Sequence, residues 1–232
     1  MLGGYEPLAG KAKAARIVLW VAAALAVLAI VSDAFQLALL GQETIEDDAA
    51  TINDARQGVM GLLQLVAFLV GAVFVLIWVA RANDNLSVIA PEHRRYGTGW
   101  AVASWFVPLA NWFNPPMVMN DIVRGSTGGW KSPLVGFWWT AVWVGGIFSV
   151  LSSSAMRDPN ADIGDLQRGT VDLLLSDVAI VIAALLLAKI IGTASAKMDE
   201  RMKDRLAHMP PPRFDRAASA PMSYQPEFQR PA

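Results

Sequence analysis

The chain has 232 residues, 54% of them hydrophobic, and a mean hydropathy of +0.39. This composition is too apolar for an ordinary soluble domain and indicates several membrane spans. The net charge of −1 gives no indication of a nucleic-acid partner, and the absence of cysteine excludes disulfides and thiolate metal sites. With only two histidines as well, we expect neither a metal site nor a cofactor.

Four apolar runs are long enough to cross a membrane as helices, because a hydrocarbon core of roughly 30 Å needs about 20 such residues. They cover approximately residues 17–40, 58–79, 134–151 and 171–191. The first run follows a short basic arm, residues 1–16, which resembles the start of a signal peptide. At about 24 residues, however, the run exceeds the roughly 7–15 of a signal-peptide core, so we interpret it as an uncleaved span.

Residues 97–126 form an apolar segment that is interrupted. Its continuous part, Trp100–Phe113, would measure about 21 Å as a helix, which is shorter than the roughly 30 Å of the hydrocarbon core. Pro108 lacks a backbone donor, and Pro115–Pro116 should stop any continuation of the helix. Asn111, between them, is of a type common in turns. We therefore expect a broken re-entrant or interfacial segment, with the other helices of the membrane domain (residues 17–195) arranged around it.

The C-terminal region changes character twice. Helix should continue past the last span through residues 196–208, as a cytoplasmic extension. Residues 209–232 contain six prolines and cannot bury a core, so we predict a disordered tail.

The distribution of basic residues predicts the orientation. If four runs cross and the broken segment does not, every Lys and Arg except Arg56, Arg157 and Arg168 falls on one side. Positive residues favour the cytoplasmic side, so both termini should be cytoplasmic. A crossing segment would instead place the basic tail outside.

Residues 78–126 carry several motifs in order. Trp78-x-x-Arg81-x-x-x-Asn85 is followed by Gly99-Trp100-Ala101-x-x-x-Trp105-Phe106-x-Pro108-x-x-Asn111, then by Pro115 and by Asp121-Ile122-x-Arg124. Together with the Trp138-Trp139 pair, they resemble the bacterial Domain-of-Unknown-Function 4328 membrane family, over about Arg16–Lys197. Thr98, Asn114, Val123 and Gly125 depart from its usual residues. The resemblance implies a multi-span protein of the bacterial inner membrane, and no particular reaction.

The motif residues form a candidate structural or functional site. Its members are Trp78, Arg81, Asn85, Trp100, Trp105, Pro108, Asn111, Pro115 and Asp121. Arg81 and Asp121 lie at the inner boundaries of apolar segments, where a charge is costly unless it pairs or reaches water. Two interpretations stand: each side chain reaches water separately, or Arg81 binds Asp121 and pins the broken segment to the second span.

Asp33 and Asp177 are candidate intramembrane carboxylates. Because a carboxylate within a membrane is costly, such residues indicate a function such as proton relay or cation binding. The alternative is that each lies close enough to the outer surface to be hydrated. The loop Asp158–Asp165 weakly resembles a calcium loop, but its glycine is one position late and the terminal bidentate acid is missing. We expect a solvated acidic loop there.

Two classes of function remain. No nucleophile–base set, phosphate loop or metal-ligand cluster appears in the sequence, which favours a non-enzymatic protein and leaves enzyme status open. The first class is a membrane scaffold or regulator, whose C-terminal region binds a cytoplasmic protein or anionic lipid. The second is a small-solute or ion transporter or channel that uses residues 97–126. The lipid bilayer is a partner in either class, and these patterns do not define the oligomeric state.

Overall fold

The computed structural model describes residues 4–208, and within that range the chain is all α-helical. The helices are α1 (Ala9–Leu40), α2 (Asp47–Ile89), α3 (Thr98–Ala103), α4 (Pro108–Thr127), α5 (Pro133–Met156) and α6 (Ile163–Ala207), with a short 3₁₀ turn at Pro91–His93. Helices α1, α2, α5 and α6 are long and apolar enough to cross a membrane. This confirms the predicted all-α fold with four transmembrane helices in a multi-pass membrane protein. The predicted disordered tail, residues 209–232, lies outside the described residues.

Helix α6 is the centre of the bundle and packs chiefly against α5 and α1, while α2 packs against α1. At one end Tyr5 contacts Asp199, and at the other Gln167 donates to the Leu40 carbonyl, so α1 and α6 run antiparallel. We call the end with Tyr5 and Asp199 the arm end. The end with the α1–α2 and α5–α6 connections is the loop end.

Small residues allow α1 to approach its neighbours. Its buried face consists largely of alanines: Ala12, Ala15, Ala23, Ala26 and Ala29. Small residues at helix interfaces allow the backbones to approach closely. This close packing matters in a membrane, because burying apolar side chains against another helix gains little over leaving them in contact with lipid. Large apolar side chains face outward instead, as Phe35, Leu62 and Phe68 do on α1 and α2. The bundle therefore presents an apolar surface suited to lipid.

The broken segment is interrupted once, at residues 104–107, and Pro108 opens α4 at the first helical position. Our prediction that Pro115–Pro116 would stop the helix is wrong, because both prolines lie inside α4. Pro116 cannot donate to the Trp112 carbonyl, but the Trp139 indole N–H does so at 3.1 Å. The helix ends instead at Thr127 and is capped by Gly128, whose φ of 76° is favourable for glycine.

The two ends of the broken segment lie beside the same part of α2. At its start, the Thr98 hydroxyl bonds to Asp84. Near its end, a Cβ on Gly125 would overlap the Leu86 side chain and lie 3.3 Å from the Ala90 Cβ, so glycine permits the close approach of α4. The segment thus enters and leaves at the arm end without crossing the bundle.

Candidate functional site

One face of α2 holds the N-terminal arm in place. Asn85 is fully buried, and its Oδ1 accepts from the Glu6 N–H at 3.1 Å while its Nδ2 donates to the Glu6 carbonyl at 2.8 Å. Arg81 Nη2 lies 3.1 Å from Glu6 Oε1. One turn earlier, the buried Trp78 indole donates to Ser195 Oγ on α6 at 2.8 Å. The i, i+3, i+7 spacing thus places all three side chains toward the arm and α6.

Helix α6 binds the arm from the other side. Asp199 Oδ1 accepts from the Tyr5 hydroxyl at 2.5 Å and from the Leu8 N–H at 3.2 Å. Burial raises the pKa of the Tyr5 hydroxyl far above its usual value, and the hydrogen bond and negative charge of Asp199 raise it further. Arg201 donates to the Gly125 carbonyl, and Arg205 to the Val88 carbonyl. These contacts join the arm, α2, α4 and α6 into one arm-end cluster.

The hypothesis that Arg81 binds Asp121 is wrong. Arg81 faces the arm and pairs with Glu6, whereas Asp121 Oδ1 lies 3.5 Å from Arg95 Nη2. Asp121 is only 5% exposed, and this burial raises the pKa of its carboxyl, while the positive charge of Arg95 opposes the rise. Asp121 therefore pins α4 to the link that follows α2, rather than to α2 itself.

The other predicted site residues are distributed along the broken segment. Trp100 is 45% exposed, Pro108 occupies the exposed first turn of α4, and Pro115 is buried. The Asn111 backbone N–H bonds to the Val107 carbonyl, so this residue lies in the first turn of a helix instead of a free turn. Trp105 lies in the break between α3 and α4, and its ring contacts Trp138 of α5 rather than Arg81.

A chain of five indole rings attaches the broken segment to α5. In order of contact the rings are Trp105, Trp138, Trp139, Trp143 and Trp112, with successive centroid separations of 6.2, 5.2, 6.2 and 4.6 Å. Trp143 lies ten residues into α5, a depth of about 15 Å along the helix. The start of α4 therefore lies beside α5, well along that helix from the arm end, and on the outer side of the bundle, since Trp112 is 55% exposed.

Sequence reasoning missed the residues that hold the link between α2 and α3. The buried Asn83 side chain donates to the Tyr96 carbonyl at 3.1 Å. Asp84 accepts from Arg94 at 3.3 Å, and Arg94 also donates to Thr98 Oγ1 at 2.9 Å. The three consecutive polar residues Asn83–Asn85 could have indicated these contacts. Adjacent positions of a helix face different directions, so consecutive polar residues imply partners on more than one side of α2.

Asp33 on α1 and Asp177 on α6 meet near the loop end. Each is 1% exposed, and the two carboxyl groups lie close enough to influence each other electrostatically. Asp33 Oδ1 accepts from the Gln57 amide at 3.1 Å, and Asp177 Oδ1 accepts from the Gln64 amide at 2.6 Å. Neither buried Oδ2 receives a hydrogen bond from an N–H or O–H group of residues 4–208. The alternative considered above was that each carboxyl lies near enough to the outer surface to be hydrated. Two carboxyl groups that are each buried do not fit that alternative.

Further polar side chains connect this pair toward the loop end. The Gln57 amide also reaches Gln36 Oε1 at 2.5 Å, and Gln36 donates to Thr170 Oγ1 at 2.9 Å. The Ser32 hydroxyl donates to Gln57 Oε1 at 3.3 Å. Arg56 donates to the Ser32 carbonyl at 3.0 Å, so its guanidinium is engaged beside the pair rather than on it. We call Ser32, Asp33, Gln36, Gln57, Gln64, Thr170 and Asp177 the loop-end cluster.

The acidic loop before α6 has a structural role. Asp162 Oδ1 accepts from the Asp165 N–H at 2.8 Å, and the Asp165 carboxylate accepts from the Asp162 N–H at 3.3 Å, which forms a capping box for α6. Among the residues that the structure describes, no group of three or more His, Cys, Asp or Glu could hold a metal ion.

Comparison with known proteins gives a family and no activity. The model of the family described as Domain of unknown function (DUF4328) matches residues 41–196. That range includes α2, the whole broken segment and α5, together with most of α6. No curated protein and no solved structure matches the chain.

Proposed function

The chain belongs to the family described as Domain of unknown function (DUF4328), and on that premise we propose that it is a non-enzymatic membrane scaffold or regulator. We place it in the bacterial inner membrane with both termini in the cytoplasm. The support for this orientation is the clustering of Lys and Arg at the arm end, because within residues 4–208 Arg56, Arg157 and Arg168 are the three that fall at the loop end.

The observation that carries the proposal is that the motif side chains bind the chain itself. Trp78 and Asn85 are fully buried, and Arg81 pairs with Glu6. A binding or catalytic site for a small molecule usually presents convergent polar groups to a concave pocket. Here the corresponding groups hold the arm, the broken segment and α6 together, which suits a rigid docking platform.

The end of α6 is the part of this platform best placed to bind a partner. Beyond its contacts with Gly125 and Val88, the helix continues to Ala207, and Leu206 is 53% exposed. Arg201 and Arg205 direct their guanidinium groups to backbone carbonyls, which leaves fewer free charges for lipid headgroups. We therefore propose a cytoplasmic protein, rather than anionic lipid, as the partner.

Transport through residues 97–126 has less support. The inward face of α4 is filled by Val118, Met119 and Ile122, all of which are buried. On its other side, α4 and α5 border a groove whose rings, including Trp112 and Phe113, are largely exposed. A permeation path would instead need polar groups along a continuous cavity.

Photo-crosslinking in cells tests the proposal. A photoreactive amino acid replaces Leu206, or in a matched control Ile163, which is 51% exposed at the other end of the same helix. We expect a discrete crosslinked protein from position 206 that position 163 does not give. Crosslinks to lipid alone, or the same products from both positions, would overturn the docking proposal. Solute uptake by proteoliposomes of the pure protein would favour the transporter.

A further inference from the structure

The Asp33–Asp177 pair presents a problem of hydrogen bonding. Both Oδ2 atoms are buried, both are acceptors when ionised, and neither receives a donor from the described residues. An unsatisfied buried acceptor destabilises the folded state, and does so more strongly when it is charged. Two ionised carboxylates side by side also repel each other in a medium of low dielectric constant. A ligand that donates to both oxygens would remove both costs.

We propose that Asp33 and Asp177 form a binding site for one exchangeable proton, which the two carboxyl groups share. With the proton on one Oδ2, that carboxyl donates to the Oδ2 of the other. Both orphaned oxygens are then satisfied, and the pair carries one negative charge instead of two. The site joins α1 to α6 at the loop end, because each helix supplies one of the two carboxyl groups.

The donor set favours a proton over a metal ion. Each Oδ1 is occupied by the amide N–H of Gln57 or Gln64, so these amides direct their positive ends toward the site. Two carboxylate oxygens remain, whereas Ca²⁺ takes six to eight oxygen ligands and Mg²⁺ requires near-octahedral coordination. A proton needs only the two oxygens that are available.

Few other charges act on the pair. On α2, Arg56 is the nearby cation, and it donates to the Ser32 carbonyl and to Asn53. Helix α5, which packs on α6, carries no charged residue between Pro133 and Met156. The pair thus depends mainly on its own proton for neutralisation. The chain of Gln57, Gln36 and Thr170 extends from it along α1, α2 and α6 and provides a polar connection toward the loop end.

Loss of the proton has a structural consequence. It would leave two like charges in contact between α1 and α6, with no further donor to compensate them. The packing of these helices at the loop end would then weaken. Protonation of the pair would therefore be coupled to the closeness of α1 and α6, independently of whether the arm end docks a partner.

Infrared spectroscopy of the full-length protein in lipid nanodiscs tests the site directly. The carbonyl stretch of a protonated carboxylic acid is distinct from the carboxylate bands. We expect one such band from the native chain at neutral pH, and its loss as the pH is raised. Asp33→Asn and Asp177→Asn should each remove the band, whereas Asp54→Asn, which alters an exposed acid of α2, should leave it unchanged.

The native protein alone keeps the proposal falsifiable if a variant fails to fold. Absence of a protonated-carboxyl band from folded native protein at neutral pH would overturn the proposal, as would a band that persists in both folded Asn variants. Melting temperature provides the second measurement. It should fall at alkaline pH in the native chain and fall less in either Asn variant, because an Asn–Asp pair has no shared proton to lose. Equal falls in all three would contradict the coupling.

Discussion

Replacement of Asn85 by alanine tests the role assigned to the α2 motif. Asn85 is fully buried and makes two hydrogen bonds with the backbone of Glu6, at 3.1 and 2.8 Å. The substitution removes both bonds and leaves the Glu6 N–H and carbonyl without these partners. Two outcomes are possible for the arm: it stays in place with unpaired groups, or it detaches from α2 and α6.

Both outcomes cost a similar free energy of unfolding. Two hydrogen bonds with a net value of about 0.5–1.5 kcal/mol each give about 1–3 kcal/mol, and any unpaired group that stays buried adds about 1–3 kcal/mol. If the arm detaches instead, Leu8, which is 0% exposed, loses its burial, at about 1.5–3 kcal/mol. We therefore expect a loss of about 2.5–6 kcal/mol, the sum of the two terms for the detached arm, since detachment limits any larger penalty from unpaired groups.

Unfolding by denaturant in detergent micelles measures this loss. The matched control is Asn160→Ala, which removes the same side chain from an exposed loop position and should change stability by less than about 0.5 kcal/mol. Asn85→Asp should be at least as harmful as Asn85→Ala, because a carboxylate cannot donate to the Glu6 carbonyl. An Asn85→Ala protein as stable as the Asn160→Ala protein would refute the assignment.

The remaining predictions concern ionisable groups at the arm end. Folded Tyr5 keeps its proton above about pH 10, where unfolded tyrosine releases it, so stability should fall as pH rises above that value. Tyr5→Phe should flatten this fall in alkaline melting curves; an unchanged slope would contradict the hydrogen bond to Asp199. In a double-mutant cycle of unfolding free energies, Arg95→Ala and Asp121→Ala should show a coupling energy of about 1 kcal/mol. The effects of Arg81→Ala and Asp121→Ala on the free energy of unfolding should instead be additive. Coupling between Arg81 and Asp121 would contradict the observed geometry.

Hydropathy was sufficient to predict the four spans, because a long apolar run in lipid has few structural solutions besides a helix. The break before Pro108 was predictable for a local reason, the fixed φ and missing donor of proline. Continuation of α4 through Pro115–Pro116 was not predictable from local sequence. The Trp112 carbonyl, to which Pro116 cannot donate, accepts a hydrogen bond from Trp139, which is distant in sequence. Local rules identify an unsatisfied group but not the partner that satisfies it.

The partners of charged residues were unpredictable for the same reason. The sequence identified Arg81 and Asp121 as costly charges that each need a partner. That Arg81 pairs with Glu6, and Asp121 with Arg95, could be recognised only once the arrangement of the helices was known. Asp33 and Asp177 were recognised singly. Their meeting had one further signal in Gln57 and Gln64, two polar residues seven positions apart in an apolar helix and therefore on the same face.

The most direct test of the central claim, a four-span bundle whose broken segment enters and returns at the arm end, is its topology. The native chain has no cysteine, so single cysteines can be placed at Thr51 and Asn160 at the loop end and at Gly97 and Lys131 on either side of the segment. A membrane-impermeant maleimide applied to intact cells should label Thr51→Cys and Asn160→Cys, and should label Gly97→Cys and Lys131→Cys only after the membrane is opened. Labelling of positions 97 and 131 from opposite sides would show that the segment crosses the membrane and would contradict the account.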